Sequence, residues 1–182
     1  MDFTDAVFAK RAEKVIERLA KEPQYYLGTF EDVAGNTHTT FGTGDIMIDV
    51  PFKVGEPQDE KRAVSVCSLV KGKFLKDEYE REMWHVGLPR SMDIRAVGTR
   101  KSPVLMELTA QKDAGLYGAP PEERKFTVQA RLLREALTVM PGHAAGERLM
   151  NSIYNPLIIR ALDDYGRIMT AVVMPYLQLK KE

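Results

Sequence analysis

The chain has 182 residues, with 26 Lys+Arg balanced by 26 Asp+Glu and three His. Zero formal net charge excludes a protein held on nucleic acid or anionic membrane by bulk charge. A hydrophobic content of 44% with 29% charged residues excludes global disorder. The length suits one domain, 1–182, with a sizeable core. The class expected is α+β: an antiparallel sheet, its strands mainly in 24–110, packed by an N-terminal helix and by C-terminal helices.

The neutrality is a sum of unequal parts. Residues 1–60 hold 6 Lys/Arg and 12 Asp/Glu, net −6; residues 61–101 hold 10 and 5, net +5; residues 102–182 hold 10 and 9, net +1. Cys67 is the one cysteine, so no intramolecular disulfide forms and a reducing compartment is the default. The first residues, Met1-Asp2-Phe3-Thr4-Asp5, lack the basic region and apolar core of a secretory signal. The longest mostly apolar run, Ile168 to Leu179, is too short for a bilayer span of ~20 residues. The expectation is a cytoplasmic, non-secreted protein with no membrane association.

In chain order, residues 3–21 read as an amphipathic helix, with Phe8, Ala12, Val15, Ile16 and Leu19 on one stripe and Pro23 as the stop. Residues 24–54 read as a three-stranded meander, with a turn at Val33-Ala34-Gly35-Asn36 and alternation through Ile46, Ile48 and Val50. Ala63 to Val70 reads as a buried strand, and a short helix is expected from Asp77 to Val86. Residues 92–97 and 103–110 suggest two more strands. A helical region is expected over 121–165: one helix from Pro121 to Met140 on the stripe Phe126, Ala130, Leu133, Leu137 and Met140, a second from Ala144 to Tyr154, and a third from Leu157 to Tyr165. Residues 167–179 are a C-terminal strand or helix, with β-branched content favouring the strand. No internal repeat is evident in the sequence.

The templates for chemistry fail one by one. Gly42-Thr43-Gly44 starts a G-x-G-x-x-G loop, but Met47 stands where the third glycine belongs, and Gly72-Lys73 is followed by Phe74 rather than Ser or Thr. Ser68-Leu69-Val70-Lys71 matches S-x-x-K without its companion motifs. Cys67 could pair with His38, His85 or His143, yet within an apolar strand it reads as a small buried hydrophobe. His38-Thr39-Thr40 is a single H-x-T where a phosphoesterase needs two. The three His lie far apart, with no H-x-x-x-H or C-x-x-C, so neither metal nor cofactor is implied and no catalytic residue is assigned.

Two binding readings remain. The basic middle offers Lys71, Lys73, Lys76, Arg90, Arg95, Arg100 and Lys101 as nucleic-acid contacts, with Phe74, Tyr79 and Trp84 between them for stacking. The C-terminal third is apolar on more than one face, which offers Ile158, Ile159, Leu162, Ile168, Val172 and Tyr176 as a self- or hetero-association surface. The expectation is therefore a non-enzymatic interaction or structural subunit of a larger macromolecular assembly; a virion or similar assembly component fits. The alternatives are a nucleic-acid-binding module using 61–101 and an enzyme with a dispersed site.

Overall fold

A computed structural model describes residues 3–76, 82–114 and 118–177. It is α+β, with three α-helices and one nine-stranded antiparallel sheet. The helices are α1 (Phe3–Leu19), α2 (Glu60–Phe74) and α3 (Ala130–Val139). The strands are β1 (Tyr26–Glu31), β2 (Thr37–Gly42), β3 (Ile46–Val50), β4 (Met83–Val86), β5 (Leu105–Lys112), β6 (Glu122–Gln129), β7 (Ala145–Leu149), β8 (Leu157–Leu162) and β9 (Ile168–Val173). Their order across the sheet is β1-β2-β3-β9-β8-β7-β4-β5-β6. Among the described residues, an α-helix followed by three strands thus occurs three times, a periodicity of structure that the sequence does not display.

The N-terminal helix and the meander form where the sequence places them. In α1, Ala12, Val15 and Leu19 are buried, as their helical spacing dictates. The β1–β2 turn is organised by Asp32, whose carboxylate accepts the Ala34 and Asn36 N–H groups, each at 2.9 Å, while Gly35 takes φ 81°. The same device closes β8 onto β9. There Asp163 accepts from Tyr165 and Arg167 N–H at 2.9 and 2.8 Å, and Gly166 takes φ 75°. Arg167 binds Asp163 through Nε at 2.7 Å, Asp5 of α1 at 2.5 Å and the Pro51 carbonyl at 3.0 Å.

Several expected elements change type. Ala63–Val70 is part of α2, not a strand; its Ala63, Cys67 and Val70 are buried at spacings of four and three, leaving Val64 and Leu69 outward. The helix packs close because Gly28 on β1 has no side chain: a Cβ there would lie 2.9 Å from Ala63 Cβ. The helix expected at Pro121–Met140 is β6 followed by α3. Phe126 and Val128 alternate inward, and eight paired positions with β5 hold the strand, so cross-strand pairing overrides the helical stripe.

The helices expected at Ala144–Tyr154 and Leu157–Tyr165 are β7 and β8. Leu157, Ile159 and Ala161 face one apolar layer and Ile158 the other, so β8 is apolar on both faces because both are covered. The tail is the strand β9, as its β-branched content favours. In the expected helix 77–86, residues 77–81 fall outside the described residues, and Met83–Val86 is β4. The expected strand 92–97 is a 3-10 turn, Ser91–Asp93, followed by irregular chain.

The larger core lies between the sheet and the helices α1 and α3, which are joined by Arg18–Glu135 at 2.9 Å; Arg131 of α3 also pairs with Glu22 in the turn after α1. The smaller core lies on the other face under α2, built on Tyr26, Met47, Ala63, Val70, Ile158 and Val172. Among the described residues, no helix is long and apolar enough to cross a membrane.

Candidate functional site

The sheet curls on itself. β6 is the last strand in the order, with β5 as its strand neighbour, yet its outer edge meets the chain leaving β9: Tyr176 N–H donates to the Thr127 carbonyl at 2.7 Å. N–H and C=O groups alternate sides along a strand, so the backbone groups of Lys125 and Glu123 face the same way as that carbonyl. Between this edge, the β7–β8 connection and the chain after β9 lies an open groove of about 550 Å³. Mouths of curled sheets are a common place for ligand and partner sites.

Among the described residues, three cations line the groove, Arg124, Lys125 and Arg148; Arg124 and Lys125 also pair with carboxylates of the β5–β6 strands, Glu122 at 3.6 Å and Glu107 at 3.4 Å. Arg148 is 4% exposed and forms the floor. Its Nε donates to the Asn155 carbonyl at 2.8 Å and one terminal nitrogen to the Ile153 carbonyl at 3.0 Å. The guanidinium lies over the Phe126 ring, 4.4 Å from its centre, while Arg124 covers Trp84 at 5.1 Å. Among the described residues, no carboxylate pairs with Arg148, and burial pushes its pKa down. The fork of Arg148 therefore shapes the loop that forms the opposite wall. That wall presents Ile153 and Tyr154, each 65% exposed, and Leu177 at 40% completes an apolar rim.

The proposed association residues divide. Ile158, Ile159 and Val172 are at most 4% exposed and belong to the two cores, so they are packing residues. They face opposite sides of a sheet that is covered on both. Leu162 and Ile168 pair across the β8–β9 hairpin and are 54% and 57% exposed; Tyr165 at its tip is 57% exposed. Tyr176 lines the groove at 36% exposed.

The proposed nucleic-acid residues are exposed but are not brought together. Lys71, Lys73 and Lys76 sit on and after the last turn of α2, on the smaller-core face. Arg90, Arg95, Arg100 and Lys101 lie on the β4–β5 connection, whose 3-10 turn packs against α3 on the larger-core face. The stacking candidate Trp84 is buried.

Cys67 and His38, considered as a pair from sequence, do meet under α2, with Asp49 and Thr40 beside them. Burial raises the thiol pKa, and the Asp49 charge adds to the rise; hydrogen bonds from Thr40 and Lys71 offset part of it. A neutral thiol in this setting is a poor nucleophile.

Sequence reading missed Arg124, Lys125, Arg148 and Tyr154. No local pattern marks them, since Arg124 and Lys125 fall in a stretch that reads as a helix and Arg148 is a lone arginine in 144–154, which also reads as one. No protein-family model matches the sequence, and no curated protein matches it.

Proposed function

We propose that this chain is a protein-binding subunit of a larger assembly, and that it holds an extended, acidic segment of its partner in the groove beside β6. The observation that carries this reading is the outer edge of β6, which has no strand partner among the described residues and lies next to three cations. An extended segment adds to such an edge through backbone hydrogen bonds, and the pockets beside it select its side chains. Arg124 and Lys125 supply complementary charge, and Ile153, Tyr154 and Leu177 supply apolar contact. Non-enzymatic association accounts for these features without a catalytic constellation.

The test places a photo-crosslinking amino acid at Tyr154 and, as a control, at the outward Val64 of α2, in cells of the source organism. The expected result is one discrete protein adduct from position 154 and none from position 64. The adduct should disappear in the double reversal Arg124→Glu/Lys125→Glu. Absence of an adduct at 154, or one indifferent to the reversal, refutes the reading. A nuclease-sensitive adduct makes the occupant a nucleic acid instead.

A further inference from the structure

The face of the sheet under α2 carries a polar knot, with Thr170 of β9 buried across from it. β2 places His38 and Thr40 on this face, and β3 places Asp49 directly across from Thr40. The helix lays Cys67 over them. His38 Nδ1 and Asp49 Oδ1 are 2.8 Å apart, and the Thr40 hydroxyl donates to the same carboxylate oxygen at 2.7 Å. His38, Asp49 and Cys67 are 7%, 8% and 2% exposed, and one donor atom from each lies within 4.8 Å of the other two. The second ring nitrogen of His38, Nε2, is buried and has no hydrogen-bond partner among the described residues. Buried polar atoms are paired almost without exception, so an unsatisfied ring nitrogen shows that the knot's own hydrogen bonds do not account for this histidine; the donors that converge with the thiol are Nδ1, already facing Asp49, and the carboxylate.

We propose that His38, Asp49 and Cys67 bind a zinc ion that pins α2 to β2 and β3. The donor set fixes the class of metal. Imidazole nitrogen, thiolate sulfur and carboxylate oxygen together suit zinc, whereas calcium and magnesium take oxygen ligands and more of them. Donors held by one zinc ion at about 2.0–2.3 Å stand roughly 3–4 Å apart, so side-chain adjustment closes the site. The Thr40 hydroxyl or a water completes a fourth position. One carboxylate and one thiolate supply two negative charges to a dication in a buried place, and Lys71, which reaches the thiol, is exposed and can turn to solvent. The Cys67 proton passes to solvent as the zinc–sulfur bond forms, and nothing is oxidised or reduced. This site is separate from the groove, and its metal is structural: it would add a polar anchor to the apolar contacts that Ala63, Val66, Val70 and Phe74 already make.

The experiment uses the full chain, stripped with chelator, reduced, and titrated with zinc(II) against a chromophoric chelator and, separately, with cobalt(II). One equivalent of zinc should bind. Cobalt should give a thiolate-to-metal charge-transfer band. At a hundred-fold excess over its Kd, zinc should raise Tm by roughly 5–10 °C. Cys67→Ser should abolish the band, and Cys67→Ser and His38→Gln should each weaken zinc binding about 100-fold or more. Melting of the zinc-free variants reports whether they fold. If Cys67→Ser does not, maleimide labelling of the wild-type thiol decides, because bound zinc should protect it. Absence of stoichiometric zinc, a cobalt spectrum without the thiolate band, or an unprotected thiol overturns the proposal. So does undiminished binding in a folded variant, which would move the metal to the exposed His85 or His143.

Discussion

Replacing Arg148 by lysine should destabilise the protein more than replacing it by methionine, which inverts the usual rule of conservative substitution. Arg148 is 4% exposed, has two backbone carbonyls and a thioether as acceptors, and has no carboxylate partner among the described residues. Its charge is therefore carried at a desolvation cost that the fork geometry and the contact over Phe126 offset. A lysine keeps that cost and reaches one carbonyl at most, which predicts a loss of about 2–4 kcal/mol. Methionine loses both bonds and the contact over Phe126, but it removes the buried charge, and the two carbonyls belong to a loop with exposed Ile153 and Tyr154, where water can replace the lost donors. The net loss should be about 1–2 kcal/mol. Urea unfolding at neutral pH, followed by far-ultraviolet circular dichroism, measures both values. If lysine keeps wild-type stability while methionine loses more than about 4 kcal/mol, the charge is satisfied by something other than the two carbonyls, and this account of the groove floor is wrong.

Two further outcomes follow from the geometry. Arg167→Ala removes the link between α1, the β8–β9 turn and Pro51; Asp163 is almost fully buried but Arg167 is one-third exposed, so the loss should be about 2–3 kcal/mol, less than for a wholly buried pair. Thermal unfolding checks it, and a loss below about 0.5 kcal/mol, the scale of a surface pair, would show that the cluster is held by backbone bonds to Asp163 alone. Burial pushes the Tyr25 phenol up to about 12 and raises that of Tyr26 as well. The unfolded chain sheds these protons near pH 10, before the folded one can, so stability should fall as pH rises from about 9 through about 12. Tyr26→Phe should flatten that slope and cost little at neutral pH, because the Tyr26 hydroxyl is buried with no hydrogen-bond partner among the described residues. A urea midpoint that holds steady or climbs across this range contradicts the sign.

Much of the first third is legible because its signals are local. The Asp32 turn, the alternation in β3 and the stripe of α1 each need only neighbouring residues. The later elements depend on what covers them. Ile158 and Ile159 are consecutive apolar residues that suit a helix surface or a strand buried on both faces equally well, and only the arrival of α2 on one side and α3 on the other decides. In α2 the run from Ala63 to Val70 hides a spacing of four and three behind β-branched residues. The groove is less legible still: its walls come from 124–127, 148–154 and 175–177, joined by the curl of the sheet. The donors at 38, 49 and 67 likewise follow no linear spacing, since a meander and a helix bring them together.

The pairing of β3 with β9 sets the order of events in folding. β3 is complete at Val50, but one of its two neighbours begins at Ile168. During synthesis the N-terminal three strands must wait with an open, apolar edge until nearly all of the described chain has left the ribosome. Contacts this distant in sequence slow folding and leave strand edges exposed to other chains. Fragments that stop before β9 should aggregate rather than fold, and a fusion partner placed ahead of α1 would finish folding while this protein was still waiting for its central strand.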